Sequence, residues 1–347
     1  MLTLDASYGE GGGQILRTAL SLAVALRIHV ALTRIRARRP KPGLQPQHLT
    51  VVRALSAIAG AEVTGDKLDS TELTFSPRAL SGGGYRFDVG AVKGSAGSVS
   101  LLFQALLLPL ALAGTASRLT LIGGTHVPWS PPVHYLTKIY LPALRRIGVD
   151  AELTLRRWGW YPKGGGEIEA AITPSRGWSG LNCEAPSASP AITGISAVSR
   201  LPPSIAERQR RRALERLDMR GLVADIALLE DASALGPGTC LFLAATGAVS
   251  LAGFSALGRR GLTAEAVADE ATLPLLAYLK SRAAVDDHLA DQLVPFLALA
   301  RERSLFTCPT LSPHLKTVAW VVRQFLPARI ELKEGSPPRV LITPRGA

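Results

Sequence analysis

Gly9-Glu10-Gly11-Gly12-Gly13-Gln14-Ile15-Leu16-Arg17 follows a short strand-like stretch, residues 2–5, near the start of the sequence. Its glycines let the backbone approach a ligand and expose its N–H groups. The apolar residues that follow have helical spacing, so the stretch predicts a turn that opens a helix with an anion-favouring N-terminus. Glu10 among these amides indicates a metal-bound polyphosphate, and Arg17 adds a cation. The alternative is a strand-to-helix turn without a ligand, because an isolated glycine run is a weak signal.

This turn and helix begin a unit that recurs along the chain. Each unit has a helix A, a strand, a proline-marked turn, an amphipathic helix B and closing strands. Helices A are predicted to start near residues 13, 97 and 287, and helices B to cover residues 48–59, 134–147 and 314–325. Repeats of this kind bury a shared core by packing side by side, and alternating strands and helices indicate an α/β or α+β class with mixed sheets.

The pattern breaks between the second and third units, where several prolines occur close together. A basic helix is predicted there at residues 205–220, with strands at 226–229 and 240–245 and a last helix at 263–280. We therefore predict a main domain formed by residues 1–183 and 282–347, with residues 184–281 as an inserted smaller domain.

The composition is that of a globular protein with a basic surface. The chain has 347 residues, of which 47% are hydrophobic, and this is enough to bury a large core. Its 39 Lys and Arg exceed its 27 Asp and Glu by 12, which favours polyanionic partners such as nucleic acid or nucleotides. A generally arginine-rich proteome is the alternative explanation.

Cysteine usage and hydropathy bear on the compartment. Cys183, Cys240 and Cys308 are far apart and form no CxxC motif, which argues against a disulfide framework or a zinc site and fits a reducing compartment. The apolar run at residues 101–113 is interrupted by Gln104 and is too short to span a bilayer. No signal peptide is recognisable, so we expect a soluble, cytoplasmic protein without membrane contact.

A basic stretch, Arg34-Ile-Arg-Ala-Arg-Arg-Pro-Lys41, carries five cations in eight residues at the end of a predicted strand. Open α/β folds place ligands at strand ends that face helix N-termini. The stretch therefore predicts binding of phosphates on nucleic acid or a nucleotide, with a solvated basic loop as the alternative. For the basic helix of the insert, a solvated face is the favoured interpretation.

A histidine stands at the start of helix B in every unit: His48, His134 and His314. A helix N-terminus disfavours the imidazolium, which lowers the histidine pKa and keeps a neutral nucleophile at pH 7. The same helix end accepts the phosphate that such a nucleophile would carry. A structural role near the helix cap is the alternative for each histidine, and the pattern alone does not choose among the three.

The run His288-Leu-Ala-Asp-Gln292 begins helix A of the third unit. Asp291 and Gln292 could orient a histidine or bind a nucleotide, while an acidic first turn that suits the helix dipole is the structural alternative. The sequence contains no HExxH helix, Ser-His-Asp order or GxxxxGK[ST] loop, which argues against a Walker-type NTPase.

Taken together, these segments resemble the RNA 3′-terminal phosphate cyclase family, and the matching motifs occur in family order across nearly the whole chain. They are Gly9 to Arg17, Arg36 with Arg39-Pro-Lys-Pro-Gly-Leu44, Gln47-His48, Gly94-Ser-Ala-Gly97 with Gln104, Gly123-Gly-Thr-His-Val-Pro128, Tyr161-Pro-Lys-Gly-Gly-Gly166, Leu289-Ala-Asp-Gln292 and Pro313-His314-Leu315. The resemblance implies three repeated α/β units, an architecture shared with enolpyruvyl transferases, and an inserted thioredoxin-like α/β domain.

The resemblance also implies a reaction. A histidine attacks the α-phosphorus of ATP and forms a covalent histidine–AMP with loss of pyrophosphate. AMP then passes to an RNA 3′-phosphate, and the neighbouring 2′-hydroxyl displaces it to give a 2′,3′-cyclic phosphate. ATP and a divalent metal, Mg or Mn, are the implied cofactors, and RNA 3′-phosphate ends are the implied partners. A homodimer is also plausible on this basis.

The family's functional residues map onto this sequence. The nucleophile would be His314, and Glu10 would hold the metal. The ATP-binding residues would be Gln104, His288, Leu289, Ala290, Asp291 and Gln292. The phosphate-binding residues for RNA would be Arg17, Arg36, Arg39, Lys41, Gln47 and His48.

Two other functions are compatible with parts of the pattern. A non-catalytic cyclase-like RNA-binding protein of ribosome assembly would keep the fold and lack the nucleophile, whereas this sequence has His314 together with Glu10, Arg17 and Asp291. An enolpyruvyl transferase would share the repeats but would need different carboxylate-binding residues.

Overall fold

The first repeat defines the topology of the molecule, which a computed structural model describes over residues 1–344. Residues 345–347, the end of the predicted main domain, lie outside the described residues. The elements of this repeat are β1 (Leu2–Asp5), α1 (Gly13–Leu26), β2 (Val30–Thr33), α2 (Pro46–Ala59), β3 (Glu62–Thr64) and β4 (Leu73–Ser76). The sheet order is β1-β2-β4-β3, with β1 parallel to β2 and the other neighbours antiparallel. Gly60 ends α2 in the left-handed conformation, as its position after an apolar helix predicts.

The second repeat has the same strand order and directions. Its elements are β5 (Gly84–Asp88), α3 (Val99–Ala111), β6 (Ser117–Gly123), α4 (Val133–Tyr135), α5 (Leu141–Arg146), β7 (Asp150–Arg157) and β8 (Gly166–Thr173). The sheet order is β5-β6-β8-β7. A π-helical turn, Leu136–Tyr140, joins α4 to α5, so helix B of this repeat runs on through a widened turn. Pro142 explains the widening, because it has no N–H to donate to the preceding turn and its ring excludes the carbonyl four residues earlier.

The third repeat is interrupted after its first strand. Its elements are β9 (Asn182–Cys183) and, after the insert, α8 (Asp287–Leu297), β14 (Ser304–Thr307), α9 (Pro313–Phe325), β15 (Arg329–Lys333) and β16 (Arg339–Thr343). The order β9-β14-β16-β15 again has one parallel pair and two antiparallel pairs. The prediction of three repeated α/β units is therefore confirmed. The first strand of this repeat, β9, lies before the insert and pairs with β14 after it.

The insert forms its own four-stranded sheet. Its elements are β10 (Ala191–Ser199), α6 (Ser204–Asp218), β11 (Ala224–Asp231), β12 (Gly238–Thr246), β13 (Leu251–Leu257) and α7 (Ala264–Ser281). The order β11-β10-β12-β13, with only β10 and β11 parallel, fits the predicted thioredoxin-like arrangement. On the basic helix α6, Arg208, Arg210 and Arg211 are exposed, as a solvated face requires. Arg208 pairs with Glu265, and Arg212 and Arg216 pair with Asp269 of α7.

One continuous hydrophobic core connects the three repeats, while the insert has a separate core between its sheet and its two helices. Helix α3 lies at the centre of the main core, and eleven of its thirteen residues are buried. Helix α1 packs against α2, α3 and α9, which brings the start of the chain next to its last helix. Within residues 1–344, no helix is both long and apolar enough to cross a membrane.

Candidate active site

A cavity of about 530 Å³ lies where the three helices A converge. Helices α1, α3 and α8 form its walls, and α9 brings His314 to its edge. The loop 129–132 and strand β13 of the insert close the far end. Its polar and charged lining residues include Gln14, Arg17, Thr18, Ser21, Gln104, Ser130, Tyr135, Ser255, His288, Asp291, Gln292 and His314. The cavity therefore depends on all three repeats and on the insert.

Helix α9 holds His314 in its first turn. Pro313 is the first residue of the helix, where its missing N–H costs nothing, and Ser312 caps the helix by accepting a hydrogen bond from Leu315 N. His314 Nδ1 lies 2.7 Å from Gln14 Oε1, and Nε2 lies 3.1 Å from Glu10 Oε2. Its side chain is 45% exposed, so a ligand in the cavity can reach it.

Gln14 sets the tautomer of His314. Its Nε2 donates a hydrogen bond of 2.6 Å to Asp291 Oδ2, and in its ionised form this carboxylate can only accept. The amide oxygen of Gln14 therefore points at His314 and accepts the Nδ1 proton. In the neutral imidazole this leaves the lone pair on Nε2, the nitrogen that faces Glu10 and the glycine-rich turn.

The charged groups beside Gln14 are deeply buried. Burial raises the pKa of Asp291 to about 7, although the nearby His288, the hydrogen bond from Gln14 and the charge of Arg17 favour its ionised form. Burial lowers the pKa of Arg17 to about 10, and the charge of Asp291 opposes that change. At pH 7 the cavity lining thus holds a cationic guanidinium beside a carboxyl group that is close to its titration point.

The glycine-rich turn places Glu10 beside His314. Gly9 and Gly11 have positive φ values of 57° and 56°, and a Cβ at Gly9 would lie 2.5 Å from Thr317 Oγ1 of α9. The turn can therefore lie directly against α9. Glu10 also has Arg39 at 3.9 Å, so one carboxylate lies between a guanidinium and the imidazole.

The basic stretch folds back on this turn. Arg36 donates hydrogen bonds to the carbonyl oxygens of Lys41 (2.5 Å) and Gly43 (3.0 Å), and Arg38 donates to Gly9 O (2.7 Å). The hydrogen bonds of Arg36 thus stabilise its own loop, whereas Arg39 and Lys41 are exposed. Neither interpretation of this stretch is excluded, because exposed cations fit both a solvated loop and phosphate binding.

His48 and Gln47 lie at the junction of the first two repeats. Burial and the cations of Arg17 and Arg36 lower the pKa of His48 to about 3, and its buried Nδ1 has no hydrogen-bond partner within residues 1–344. Gln47 Oε1 accepts a hydrogen bond of 3.2 Å from Ser98 N at the start of α3. The amide of Gln47 therefore joins the repeats, while His48 keeps a neutral ring nitrogen without a partner.

Four of the predicted nucleotide-binding residues line the cavity: Gln104, His288, Asp291 and Gln292. Buried Nε2 of Gln104 and buried Oε1 of Gln292 lack hydrogen-bond partners in the described part of the chain. Unpartnered buried polar atoms are costly, and a polar ligand would satisfy them.

Leu289 and Ala290, the other two predicted nucleotide-binding residues, lie away from the cavity lining. Both side chains are fully buried in the main core and do not line the cavity. Their backbone N–H groups donate to the side chain and the carbonyl oxygen of Asp286, respectively. They occupy the inward face of α8, and the helical period, which turns consecutive residues to different faces, explains the difference from Asp291 and Gln292.

The three helix-B histidines have different surroundings. His134 Nδ1 lies 2.9 Å from His126 Nε2, and His126 stacks on Trp158 with ring centroids 4.3 Å apart. Burial is the main cause of the lowered pKa of His48, His134 (to about 4) and His314. Of the three, His314 is the one that lines the cavity.

Two functional positions were not found from sequence. Gln14 lies in the glycine-rich run, and no local signal distinguishes it, because the same helix also carries Arg17, Thr18 and Ser21. Asp286 caps α8 and accepts hydrogen bonds from Tyr135 Oη and from Gly253 N of the insert. Burial raises the pKa of this carboxyl. Asp286 therefore fixes the start of α8 relative to two neighbouring segments.

The fold and the cleft define a protein of three repeated α/β units with a histidine, a carboxylate and guanidinium groups arranged around a nucleotide-sized cavity. The family model described as RNA 3′-terminal phosphate cyclase matches residues 8–332. The chain is 48% identical over 339 residues to the RNA 3′-terminal phosphate cyclase of Methylococcus capsulatus, covering 96% of this chain and 93% of that protein. It is 44% identical over 338 residues to the protein of the same name from Gloeothece citriformis, covering 96% and 95%.

The chain therefore belongs to the RNA 3′-terminal phosphate cyclase family, and the predicted membership is confirmed. Among solved structures, the enolpyruvyl transferase NikO from Streptomyces tendae aligns with a TM-score of 0.39 and 13% identity, covering 96% of this chain and 47% of that one.

Proposed function

We propose that this protein converts the 3′-phosphate end of an RNA into a 2′,3′-cyclic phosphate at the expense of ATP, through covalent His314–AMP and RNA–adenylate intermediates. The observation that carries the proposal is the placement of His314, with Nδ1 held by Gln14 and Nε2 at the edge of the cavity. The printed names of relatives that align over nearly the whole chain support the overall reaction.

In the first step, His314 Nε2 attacks the α-phosphorus of ATP. An N–P bond forms, the bond from that phosphorus to the bridging oxygen breaks, and pyrophosphate leaves. The imidazole becomes positively charged, and the hydrogen bond from Nδ1 to Gln14 stabilises this charge. Arg17 and the N-terminus of α9 favour the negative charge that develops at phosphorus.

ATP fits the cavity by the chemistry of its lining. The unpartnered Nε2 of Gln104 and Oε1 of Gln292 supply one donor and one acceptor, which a nucleoside can use together. His288 and Asp291 lie on the same helix as Gln292 and face the same space. We assign these four residues to nucleotide binding.

A divalent cation, Mg²⁺ or Mn²⁺, would be held by Glu10. Across residues 1–344 no group of three or more His, Cys, Asp or Glu side chains could hold a metal ion. One carboxylate is nevertheless sufficient for an ion that takes its remaining ligands from substrate phosphates and water, as Mg²⁺ often does. When bound, the ion would neutralise charge on the phosphates.

Glu10 also controls the proton on His314. Its carboxylate, 3.1 Å from Nε2, favours the protonated imidazole, whereas burial lowers the pKa of His314 and favours the neutral one. The imidazole becomes the nucleophile once Glu10 is engaged by other groups.

The second and third steps use the RNA. An oxygen of the RNA 3′-phosphate attacks the phosphorus of His314–AMP, the N–P bond breaks, and the 3′ end is adenylated. The neighbouring 2′-hydroxyl then attacks the 3′-phosphorus, losing its proton to solvent, and AMP leaves as the cyclic phosphate closes. The residues that we assign to RNA phosphates are Arg17, Arg36, Arg39, Lys41, Gln47 and His48.

Incubation with ATP labelled at the α-phosphate and a divalent metal tests the proposal. We expect acid-labile, base-stable label on the protein, lost in His314→Ala and kept in the matched variants His29→Ala and His134→Ala. Label retained by His314→Ala would refute the nucleophile assignment. A non-catalytic RNA-binding protein would take up no label in any variant.

A further inference from the structure

Two stacked aromatic rings lie outside the cavity, on the same turn and helix that hold the candidate nucleophile. Tyr8 and Trp320 are parallel within 12°, with ring centroids 4.1 Å apart. Trp320 is partly buried against the main core, whereas Tyr8 is 42% exposed. A phenol ring held flat by an indole beneath it presents a rigid π-face to solvent, which costs little entropy to use in binding.

This aromatic shelf, Tyr8 on Trp320, is close to His314. Tyr8 precedes Glu10 by two residues, and Glu10 contacts His314. Trp320 follows His314 by six residues on α9, which corresponds to about 9 Å along the helix axis. The end of a single RNA strand is long enough to cover this distance.

The shelf and the cavity are separate features. The residues that line the cavity include Gln14 and Arg17 of α1 but neither ring of the shelf. A nucleotide in the cavity would therefore leave the shelf free for a second ligand.

Two cations lie against the turn that contains Tyr8. Arg38 donates a hydrogen bond to Gly9 O, which places its guanidinium group beside the residue that follows Tyr8. Arg39 lies 3.9 Å from Glu10, and Lys41 is exposed on the same loop, whereas Arg34 is paired with Asp5. Cations that track a phosphate backbone, beside an aromatic face on which a base can stack, are the combination that binds single-stranded nucleic acid.

We propose that the shelf of Tyr8 on Trp320 is a base-stacking site for a nucleotide near the 3′ end of the RNA substrate. This inference rests on the proposed function, because it takes RNA as the substrate. Stacking on Tyr8 anchors the strand by one base face, independent of base identity, while the loop that contains Arg38 and Arg39 binds its phosphates. The 3′-phosphate is thereby held near His314 without sequence-specific contacts.

Direct RNA binding tests the inference without ATP and without turnover. The probe is a single-stranded oligoribonucleotide with a 5′-fluorescein and a 3′-phosphate, followed by fluorescence anisotropy at fixed salt concentration. We expect Tyr8→Leu to raise the Kd by about 5- to 140-fold, the range that corresponds to removing one base–aromatic stack. Tyr8→Phe keeps the ring and is expected to bind like the unmodified protein.

A second series identifies the base. Each oligonucleotide contains one abasic nucleotide, at successive positions from the 3′ end, and is titrated against the unmodified protein and against Tyr8→Leu. At one position, loss of the base is expected to raise the Kd of the unmodified protein by a factor similar to that of Tyr8→Leu. Loss of the same base is expected to leave the Kd of Tyr8→Leu unchanged.

Three results would overturn the inference: equal Kd values for Tyr8→Leu and the unmodified protein, abasic losses that are as large in Tyr8→Leu, or no abasic position that matters in the unmodified protein. The last measurement needs no variant, so it remains decisive if Tyr8→Leu does not fold. Failure of the proposed function would appear separately, as absence of label from ATP in the unmodified protein.

Discussion

Replacing Asp291 by asparagine should change how the stability of the protein depends on pH. The carboxyl of Asp291 is 7% exposed and shares its surroundings with Gln14, Arg17, His288 and Asp286. Burial raises its pKa from 3.8 to about 7 in the folded state. Between these values the folded protein binds a proton that the unfolded chain has released, so this group lowers stability as pH rises. Asparagine has the same shape and does not titrate.

The expected size of the effect follows from the two pKa values. Since one pKa unit corresponds to about 1.36 kcal/mol, the rise from 3.8 to about 7 amounts to about 4 kcal/mol. The unfolding entropy of a 347-residue chain is roughly 700 cal/mol/K at about 2.1 cal/mol/K per residue. The melting temperature of Asp291→Asn, relative to the unmodified protein, should therefore increase by about 6 °C between pH 4 and pH 8.

Thermal denaturation of both proteins, measured side by side at several pH values, provides the assay. Taking the difference between them removes the contribution of every other titrating group. Asp287→Asn is the matched control, because Asp287 is an acidic residue of the same helix that does not line the cavity. A melting-temperature difference that stays constant from pH 4 to pH 8 would refute the conclusion that burial raises the pKa of Asp291.

Two further predictions concern the first chemical step. Gln14→Leu removes the acceptor for His314 Nδ1, so protein labelling from ATP should slow by about 100-fold, the cost of a misplaced reacting group; an unchanged rate would mean that Gln14 does not orient the imidazole. Glu10→Ala should slow labelling and move the titration with Mg²⁺ or Mn²⁺ to higher concentration, whereas an unchanged titration midpoint would remove Glu10 from the metal site.

The sequence predicts the repeats well because their boundaries carry local signals. Gly60 ends α2, and Gly148 follows helix B of the second repeat, each with positive φ, and Pro313 opens α9. The strand β9 has no such signal. It is two residues long, and it pairs with β14 more than one hundred residues later, so only the folded chain reveals it. In the insert, β10 and β13 were also missed, although β12 between them was predicted.

Site residues can be predicted from the sequence where the residue type determines the chemistry. They cannot be predicted where the role depends on the direction in which a side chain points. Residue type and family motifs predict His314, Glu10 and Arg17, and the fold places Glu10 3.1 Å from His314 at the edge of the cavity that Arg17 lines. Which side chains reach the cavity depends on helix rotation, so the sequence does not show that the side chains of Leu289 and Ala290 are buried in the core away from it. Gln14 was missed because its function depends on a contact across 300 residues of sequence.

The three repeats explain how one cavity acquires polar groups without many buried charges. Each helix A is largely apolar and contributes one glutamine to the cavity: Gln14 from α1, Gln104 from α3 and Gln292 from α8. An amide costs less to bury than a charge, and it can both donate and accept hydrogen bonds. Gln14 uses both its amide donor and its amide acceptor in hydrogen bonds within the protein and orients His314. Gln104 and Gln292 each have one buried amide atom without a hydrogen-bond partner in the described part of the chain. Equivalent helices of a repeated fold thus differ in their roles: one orients His314, and the other two carry buried groups that a polar ligand can satisfy.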